Sequence, residues 1–408
     1  MPEQGPLAGV VVLDLSVWGL GPIATVALAD LGADVFKIES PDGGEPGRNV
    51  VVAVGLDVEM KDGRNAYFET FNRGKRSVII DLKQPEGVAL LRELVRTADV
   101  LVENRRPGAL DRLGLDYESL SKINPRLVYA SANGYGPYGE ESKRPAFDYI
   151  AQSRSGYMWT IGDAGDPPVL HTLAPADLVG GLMLGDGILA ALAGRATTGK
   201  GSLVQTSQIG AMIWASYFAV ALTLFTQAPD WPRDSRKAPA NPLCNYYEAA
   251  DGTWIVFNLL QSDKQFPMLC RAIGRPDLLD DPRYATHEDR RVNSAALVQA
   301  LSETIGQKPW PEWKSLWAGE EFVFDIVQKI PDLPRDPAVV ANDYLMDLDY
   351  GDLIQGPVPR FPFHFNGQAV RSSRLAPGYG EHTWEVLTER LGKTSAELED
   401  LTLRSIIA

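Results

Sequence analysis

Histidine and cysteine are scarce in this chain. Its 408 residues include four histidines, His171, His287, His364 and His382, and two cysteines, Cys244 and Cys270. No histidine falls in an HExxH or related spacing, so no metal site built by the protein is expected. Two thiols without a CxxC spacing give no disulfide framework and point to a reducing compartment, with the cytoplasm as the expected location. Basic charge is also short. Against 53 Asp and Glu stand 39 Lys and Arg, a formal net charge of -14. Non-specific nucleic-acid binding needs a basic face that displaces phosphate counterions, so nucleic acid is not an expected partner. An acidic protein that binds an anion must instead gather its cations locally. The opening MPEQGPLAG has no apolar run and does not read as a secretory signal. Long apolar runs are few. Residues 209–226 form an 18-residue stretch without a charge, the lower limit for a membrane span. Ser216, Tyr217 and two threonines interrupt it, and Gln and Pro flank it rather than Lys and Arg. A buried or subunit-interface helix is expected there, and no membrane.

What remains is an ordinary globular composition, 45% hydrophobic and 23% charged, on a chain long enough for two or three units. The first 130 residues alternate strand and helix signals. Short apolar strands are expected over residues 10–15, 33–39, 77–81, 99–102 and 127–132, with helices over 23–31 and 85–96. Such alternation implies an α/β fold with a parallel sheet covered on both faces. Apolar helices follow over 179–193 and 209–225. Pro229, Pro232, Pro239 and Pro242 then mark residues 227–243 as a linker. Residues 244–330 carry a strand signal of their own over 254–257, and a second proline-rich break covers 331–337. Residues 338–408 end in a polar-faced helix near 383–391. The expected plan is thus 1–226, a linker, a small unit over 244–330, a second linker, and a C-terminal part.

The turn Gly19-Leu20-Gly21-Pro22-Ile23-Ala24 follows a strand and opens a helix. It satisfies the dinucleotide fingerprint GxGxxG/A, and Glu39 lies near the distance expected for a ribose-binding acid. A nicotinamide dehydrogenase is therefore one reading. Against it, Pro22 removes an N–H from the helix start that should face pyrophosphate, and no hydride-transfer constellation follows. A tight strand–helix turn without nucleotide, or a cradle for another adenine nucleotide, remains open. Two basic stretches, Asn72-Arg73-Gly74-Lys75-Arg76-Ser77 and Glu103-Asn104-Arg105-Arg106-Pro107-Gly108 with Arg112 beyond, adjoin strands. They are either solvated loop charges or cations that meet phosphate at the strand ends. On its own, Asp177 before an apolar run reads as an N-cap.

Taken together the motifs have a meaning that none has alone. Val12-Leu13-Asp14-Leu15-Ser16, Gly21-Pro22, Ala29-Asp30-Leu31-Gly32-Ala33-Asp34-Val35 and Lys37-Ile38-Glu39 open the series. The two basic stretches follow, with Asp81-Leu82-Lys83 and Arg112-Leu113-Gly114. Then come Ser131-Ala132-Asn133-Gly134-Tyr135-Gly136, Phe147-Asp148-Tyr149-Ile150-Ala151-Gln152, and Asp177 with Gly180-Gly181. Asn241-Pro242-Leu243, Asp251-Gly252 and residues 376–383 complete it. This ordered series, covering nearly the whole chain, resembles the family III CoA transferases. The resemblance implies an open Rossmann-like domain built from both chain ends, a smaller central α+β domain, and an interlinked homodimer. It implies CoA and acyl-CoA as substrates, with no tightly bound cofactor. It assigns Asp177 as the catalytic carboxylate and Lys83, Asn104, Arg105, Arg106 and Arg112 to CoA. Trp18, Gly19, Phe147 and Asp148 fall near the acyl end. Where some members carry a CoA-binding arginine this chain has Ser40. The run of glycines of formyl-transferring members is missing, which argues against oxalate.

The implied chemistry is covalent. An ordinary aspartate, with a pKa of ~3.9, is ionised at neutral pH and needs no general base. Close backbone N–H donors must meet the oxyanions, and Gly180-Gly181 or loops of the central domain are candidates. The nearest rival is an acyl-CoA racemase of the same superfamily, in which a histidine stands where Phe147 stands here. Phenylalanine cannot carry a proton. A CoA-binding protein without catalysis is a third possibility. Among nine tryptophans, Trp18 lies where the acyl end should run and points weakly to a bulky or apolar acid.

Overall fold

The computed structural model describes residues 5–351, 357–370, 372 and 374–408. Six short strands form one sheet: β1 Val11–Asp14, β2 Asp34–Glu39, β3 Arg76–Ile79, β4 Val100–Glu103, β5 Val128–Asn133 and β6 Leu203–Ser207. Their order is β3-β2-β1-β4-β5-β6, and each neighbouring pair is parallel. The strands are short and largely buried because helices cover both faces of the sheet, and all four residues of β1 are buried, Asp14 included. The order reverses between β1 and β4. Loops leaving their carboxyl ends turn away from each other there, which opens a crevice at that point of an open α/β sheet. This is the parallel sheet that strand–helix alternation predicts, and it is consistent with the Rossmann-like domain that the resemblance implies.

The chain folds into two compact units. The first gathers Met1–Met158, Leu170–Phe225 and Pro337–Ala408, so both chain ends contribute to it. The second gathers Trp159–Val169 and Thr226–Asp336. Residues 159–169 thus belong with the second unit, a detour that the expected boundary at 226 does not contain. The second unit holds an antiparallel sheet of β7 Tyr246–Glu248, β8 Trp254–Phe257 and β9 Phe324–Ile326, with β8 central. Its core is aromatic. Trp313 and Trp317 stack at 4.9 Å, and Tyr247 and Phe257 are buried with them.

In the first unit, α1 Leu20–Asp30 follows β1 directly and is buried throughout. A later helix, α2 Pro175–Thr198, crosses it closely. A Cβ on Gly181 would come within 2.6 Å of the Leu20 carbonyl oxygen, and one on Gly180 within 2.6 Å of the Leu20 side chain. The glycine pair therefore serves this helix crossing, not the approach of backbone to a reacting group. α2 also begins four residues before the expected start, because Pro175 supplies the N1 position with its fixed φ. By length and apolarity α2 meets the requirement of a membrane-crossing helix, yet its Leu184 and Ile188 are buried against the sheet. The single apolar helix expected over 209–225 is two helices, α3 Gln208–Ala215 and α4 Tyr217–Thr226, bent by 73°.

The first basic stretch is neither of the things expected of it. Arg73 is buried against Asp30 at 2.6 Å. Lys75 is wholly buried, 2.9 Å from Asp14, with Lys37 at 3.5 Å from the same carboxylate. Arg76 binds Asp34, Glu385 and Glu389. Burial opposes the charge on Asp14, but Lys37 and Lys75 outweigh it and hold its pKa below the usual carboxylate range. Removing one member of such a buried group leaves an uncompensated charge, at a cost of about 3–5 kcal/mol. Lys37 and Lys75 thus anchor the end of β1 beneath its turn, while Arg73 ties down the end of α1 and Arg76 joins the start of β2 to the helix Thr383–Leu391.

Candidate active site

The site is built on the turn that leaves β1. The buried Asp14 carboxylate accepts the Ser16 N–H at 2.9 Å and also its hydroxyl. Asn104, just after β4, clamps the next residue from both sides. Its Oδ1 accepts the Val17 N–H at 2.9 Å, and its Nδ2 donates to the Val17 carbonyl at 2.6 Å. Each end of the Asn104 amide thus makes one hydrogen bond to the turn, a strut across the crevice that leaves a second N–H, unpartnered among the described residues, free for a ligand. Trp18 donates its N–H to Glu45 Oε1 at 2.7 Å. It holds φ at 65°, a left-handed conformation that a tryptophan keeps only when its surroundings impose it. Gly19 then caps α1.

Asp177 meets this turn from the other side. It is the third residue of α2, not the N-cap. The cap position belongs to Ala174, which has no capping side chain. The missing cap comes from elsewhere: the Asp177 N–H donates to Asp148 Oδ2 at 2.9 Å. Asp148 opens the helix Asp148–Arg154, is buried, and accepts a second hydrogen bond from Gln152. Gln152 in turn holds both the N–H and the carbonyl of His171, which fixes the loop before α2. The Asp177 carboxylate itself is anchored at one oxygen only. Gln208 Nε2, at the start of α3, donates to Oδ1 at 2.5 Å. The other oxygen, Oδ2, accepts no hydrogen bond among the described residues and faces Gly19. A Cβ on Gly19 would lie 2.7 Å from it, so only glycine admits the carboxylate there.

Asp177 is not the ordinary aspartate expected. Burial pushes its pKa up, the Gln208 hydrogen bond opposes the rise, and the nearby Asp148 charge adds to it, for a value of about 6. At pH 7 the ionised form still leads by about tenfold. The other two acyl-end candidates are close by in the chain. Trp18 precedes Gly19 and Phe147 precedes Asp148, and their rings meet edge to face at 6.4 Å and 88°.

A separate cleft of about 300 Å³ opens along the carboxyl ends of β1, β2 and β3. It is lined by Leu15, Ile38, Ile80 and Leu113 among apolar residues, and by Ser40, Lys83 and Arg105 among polar ones. Lys83 is exposed and pairs with Asp42 at 2.5 Å. Of the expected CoA residues, Lys83 and Arg105 share this cleft. Arg106 points to a neighbouring cavity of about 310 Å³ with Glu103, Asp116 and Tyr129, and Arg112 is exposed and lines neither. Glu39 edges the cleft but is not a free ribose partner. Its carboxylate takes two bonds from Arg48, one from Ser77 and one from the Glu45 N–H. Gly21 has a packing reason too, since a Cβ there would strike the Ser16 side chain at 2.2 Å. The dinucleotide fingerprint is a strand–helix joint in this protein.

Comparison with known proteins decides the family. The model of CoA-transferase family III matches residues 7–383. The chain belongs to the family III CoA-transferases. The ordered motifs said so from the sequence, and the enzyme class follows. This CoA-transferase is 36% identical over 400 residues to the succinate–glutarate CoA-transferase of Agrobacterium fabrum, covering 95% of this chain and 97% of that one. It is 31% identical over 397 residues to the cinnamoyl-CoA:phenyllactate CoA-transferase of Clostridium sporogenes, covering 97% and 95%. A solved CAIB/BAIF family protein from Brucella suis superposes with a TM-score of 0.82 at 31% identity, covering 95% of this chain and 100% of that one. Relatives at similar identity thus differ in the acids they use.

Sequence reasoning missed three residues. Gln208 follows the helix cap Ser207 with no chemical signature around it. Glu45 sits in a loop and reads as a solvated charge, yet it is buried and holds Trp18. Tyr67 lies close enough to Asp177 and Glu45 for their charges, added to its burial, to push its phenol pKa up.

Proposed function

We propose that this enzyme is an acyl-CoA:carboxylate CoA-transferase in which Asp177 carries the acyl group and then CoA. The observation that supports it best is the carboxylate of Asp177, fixed at Oδ1 by Gln208 and bare at Oδ2 beside the Gly19 backbone. In the first step Oδ2 attacks the thioester carbonyl of the donor. A C–O bond forms, the C–S bond breaks, and CoA leaves as thiolate. The thiolate then attacks Cγ of Asp177 in the mixed anhydride, which releases the donor acid and leaves an aspartyl-CoA thioester. The acceptor carboxylate attacks Cγ, forms a new anhydride and expels thiolate. The thiolate takes the new acyl group and restores Asp177. No proton moves in the cycle, which suits a site whose acids are Asp177 and Asp148.

Each attack builds an oxyanion. The N–H groups of Leu20 and Gly21, at the start of α1, donate to nothing among the described residues. In this reading they take the oxyanion, where one such donor is worth about 3–4 kcal/mol. CoA enters along the cleft of Ser40, Lys83 and Arg105, with its phosphates on the two cations and its thiol end toward Gly19. The homodimer is part of the same proposal. Trp214, Tyr217, Leu224 and Phe225 are 62–83% exposed on α3 and α4, an apolar surface that a second copy would cover. Two free thiols, Cys244 and Cys270, support a reducing cellular location.

The test is Asp177→Ala. Transfer is expected to vanish while CoA still binds. Substantial transfer by that variant overturns the assignment. In a racemase, Phe147 would have to be a base, and its ring offers no proton-bearing atom. Solvent deuterium entering the α-carbon of an acyl-CoA without any acceptor acid would restore that alternative.

A further inference from the structure

The residues around Asp177 also bear on which acid it carries, and this inference rests on the reading of Asp177 as nucleophile. Two features are relevant. The first is aromatic. Phe147 is 67% exposed although it is a phenylalanine in a folded segment, and Trp18 is 37% exposed. Trp18 is kept at φ 65° by the bond from its N–H to Glu45. Strained backbone persists at sites where its side chain must be aimed. The two rings meet edge to face, the arrangement that aromatic pairs prefer, and a broad face of Phe147 stays open. Both belong to residues next in sequence to groups that touch Asp177, namely Gly19 and Asp148. Leu173 and Leu178, on either side of the start of α2, are also exposed.

The second feature is charge. The ionisable groups gathered here are the carboxylates of Asp177, Asp148 and Glu45 and the Tyr67 phenol, with the buried Lys75 near enough to feel the charge of Glu45 but already paired with Asp14. Among the described residues, no Lys or Arg makes an ion pair or hydrogen bond to any of the three carboxylates. An acid with a second carboxylate would bring it unpaired toward like charges, which selects against dicarboxylates as surely as a clash would. An aromatic tail meets the opposite case, an apolar surface with nothing covering it.

We propose that the acid exchanged by this enzyme is a monocarboxylic acid with an aryl or arylalkyl tail that packs on Phe147 and Trp18, and that dicarboxylates are poor substrates. The test uses the full-length enzyme with acetyl-CoA as donor and 3-phenylpropionate, phenylacetate, hexanoate, succinate and glutarate as acceptors. The aryl acids are expected to exceed succinate and glutarate in kcat/KM by about tenfold or more, the scale on which apolar pockets discriminate. Phe147→Ala and Trp18→Ala are expected to lower the ratio of kcat/KM for 3-phenylpropionate to that for hexanoate. The wild-type ranking alone decides the matter if either variant fails to fold. Succinate or glutarate used as well as the best aryl acid, or no turnover of aryl acids, overturns the proposal. Mapping of the acylated residue is run in parallel. Label on Asp177 with dicarboxylates preferred refutes the substrate class only. Transfer without label on Asp177 refutes the nucleophile reading beneath it.

Discussion

Asp148 accepts the backbone N–H of Asp177 at 2.9 Å. A residue on one helix thus caps another whose own N-cap, Ala174, has no side chain for the task. The same contact sets two carboxylates side by side. It fixes the position of Asp177 and, through like charge, helps to raise its pKa.

The pH dependence of transfer follows. Attack needs the carboxylate form, and the folded pKa of Asp177 is about 6. The acid limb of kcat against pH is expected near pH 6 instead of near 4, with activity lost as pH falls through it. Asp148→Asn keeps a hydrogen-bond acceptor and removes the like charge, so the limb moves to lower pH. Gln208→Ala removes the bond that favours the charged form, so the limb moves to higher pH. A limb near 4 in the wild type, or unmoved limbs in both variants, contradicts this picture.

Asp177 also weakens the fold at neutral pH. Its pKa rises on folding from 3.8 to about 6, so the folded state favours the protonated form. Ionisation then costs stability as pH rises through roughly 4 to 6, and the full cost remains above that window. Asp177→Asn is expected to be inactive and more stable than wild type at pH 8 by about 1–3 kcal/mol, with solvent at the open side trimming the upper figure. At pH 4 the gain shrinks. Thermal unfolding at the two pH values checks the sign.

Gly19→Ala tests the approach of backbone to nucleophile. The new methyl would sit 2.7 Å from Asp177 Oδ2. Because φ at Gly19 is -96°, alanine is tolerated by the backbone itself, and the conflict is with the carboxylate alone. The expected outcome is a fall in kcat of about 100-fold or more, the effect of a misplacement near 1 Å, with little change in CoA affinity. A fall in CoA affinity with kcat preserved contradicts it.

The cleft makes a separate prediction. Arg105→Ala is expected to raise KM for acyl-CoA by about tenfold, consistent with loss of one charge-assisted phosphate contact. Arg106→Ala, which faces the neighbouring cavity, is expected to change it much less. Initial rates over a range of acyl-CoA concentrations distinguish the two.

The strands were legible because fully buried parallel strands are short, continuous and β-branched, as in Val11–Asp14. The polar groups were not. Arg73, Lys75 and Arg76 look like one loop cluster, but Arg73 pairs 43 residues away, Lys75 61, and Arg76 both 42 and about 310 residues away in the chain. A sequence shows charges and hides their pairing. Asp177 was found through ordered motifs, whereas its N3 position depends on Pro175 and an unusual cap from Asp148. Gln208 left no trace at all, since a glutamine at a helix start has no preferred chemistry. The tuning of the site lies in such contacts.

The central claim is covalent attachment at Asp177. Enzyme incubated with acyl-CoA, trapped with hydroxylamine and digested should give a hydroxamate on the peptide that contains Asp177, mapped by mass spectrometry to that residue. A modification at any other residue, or none while transfer proceeds, contradicts the account.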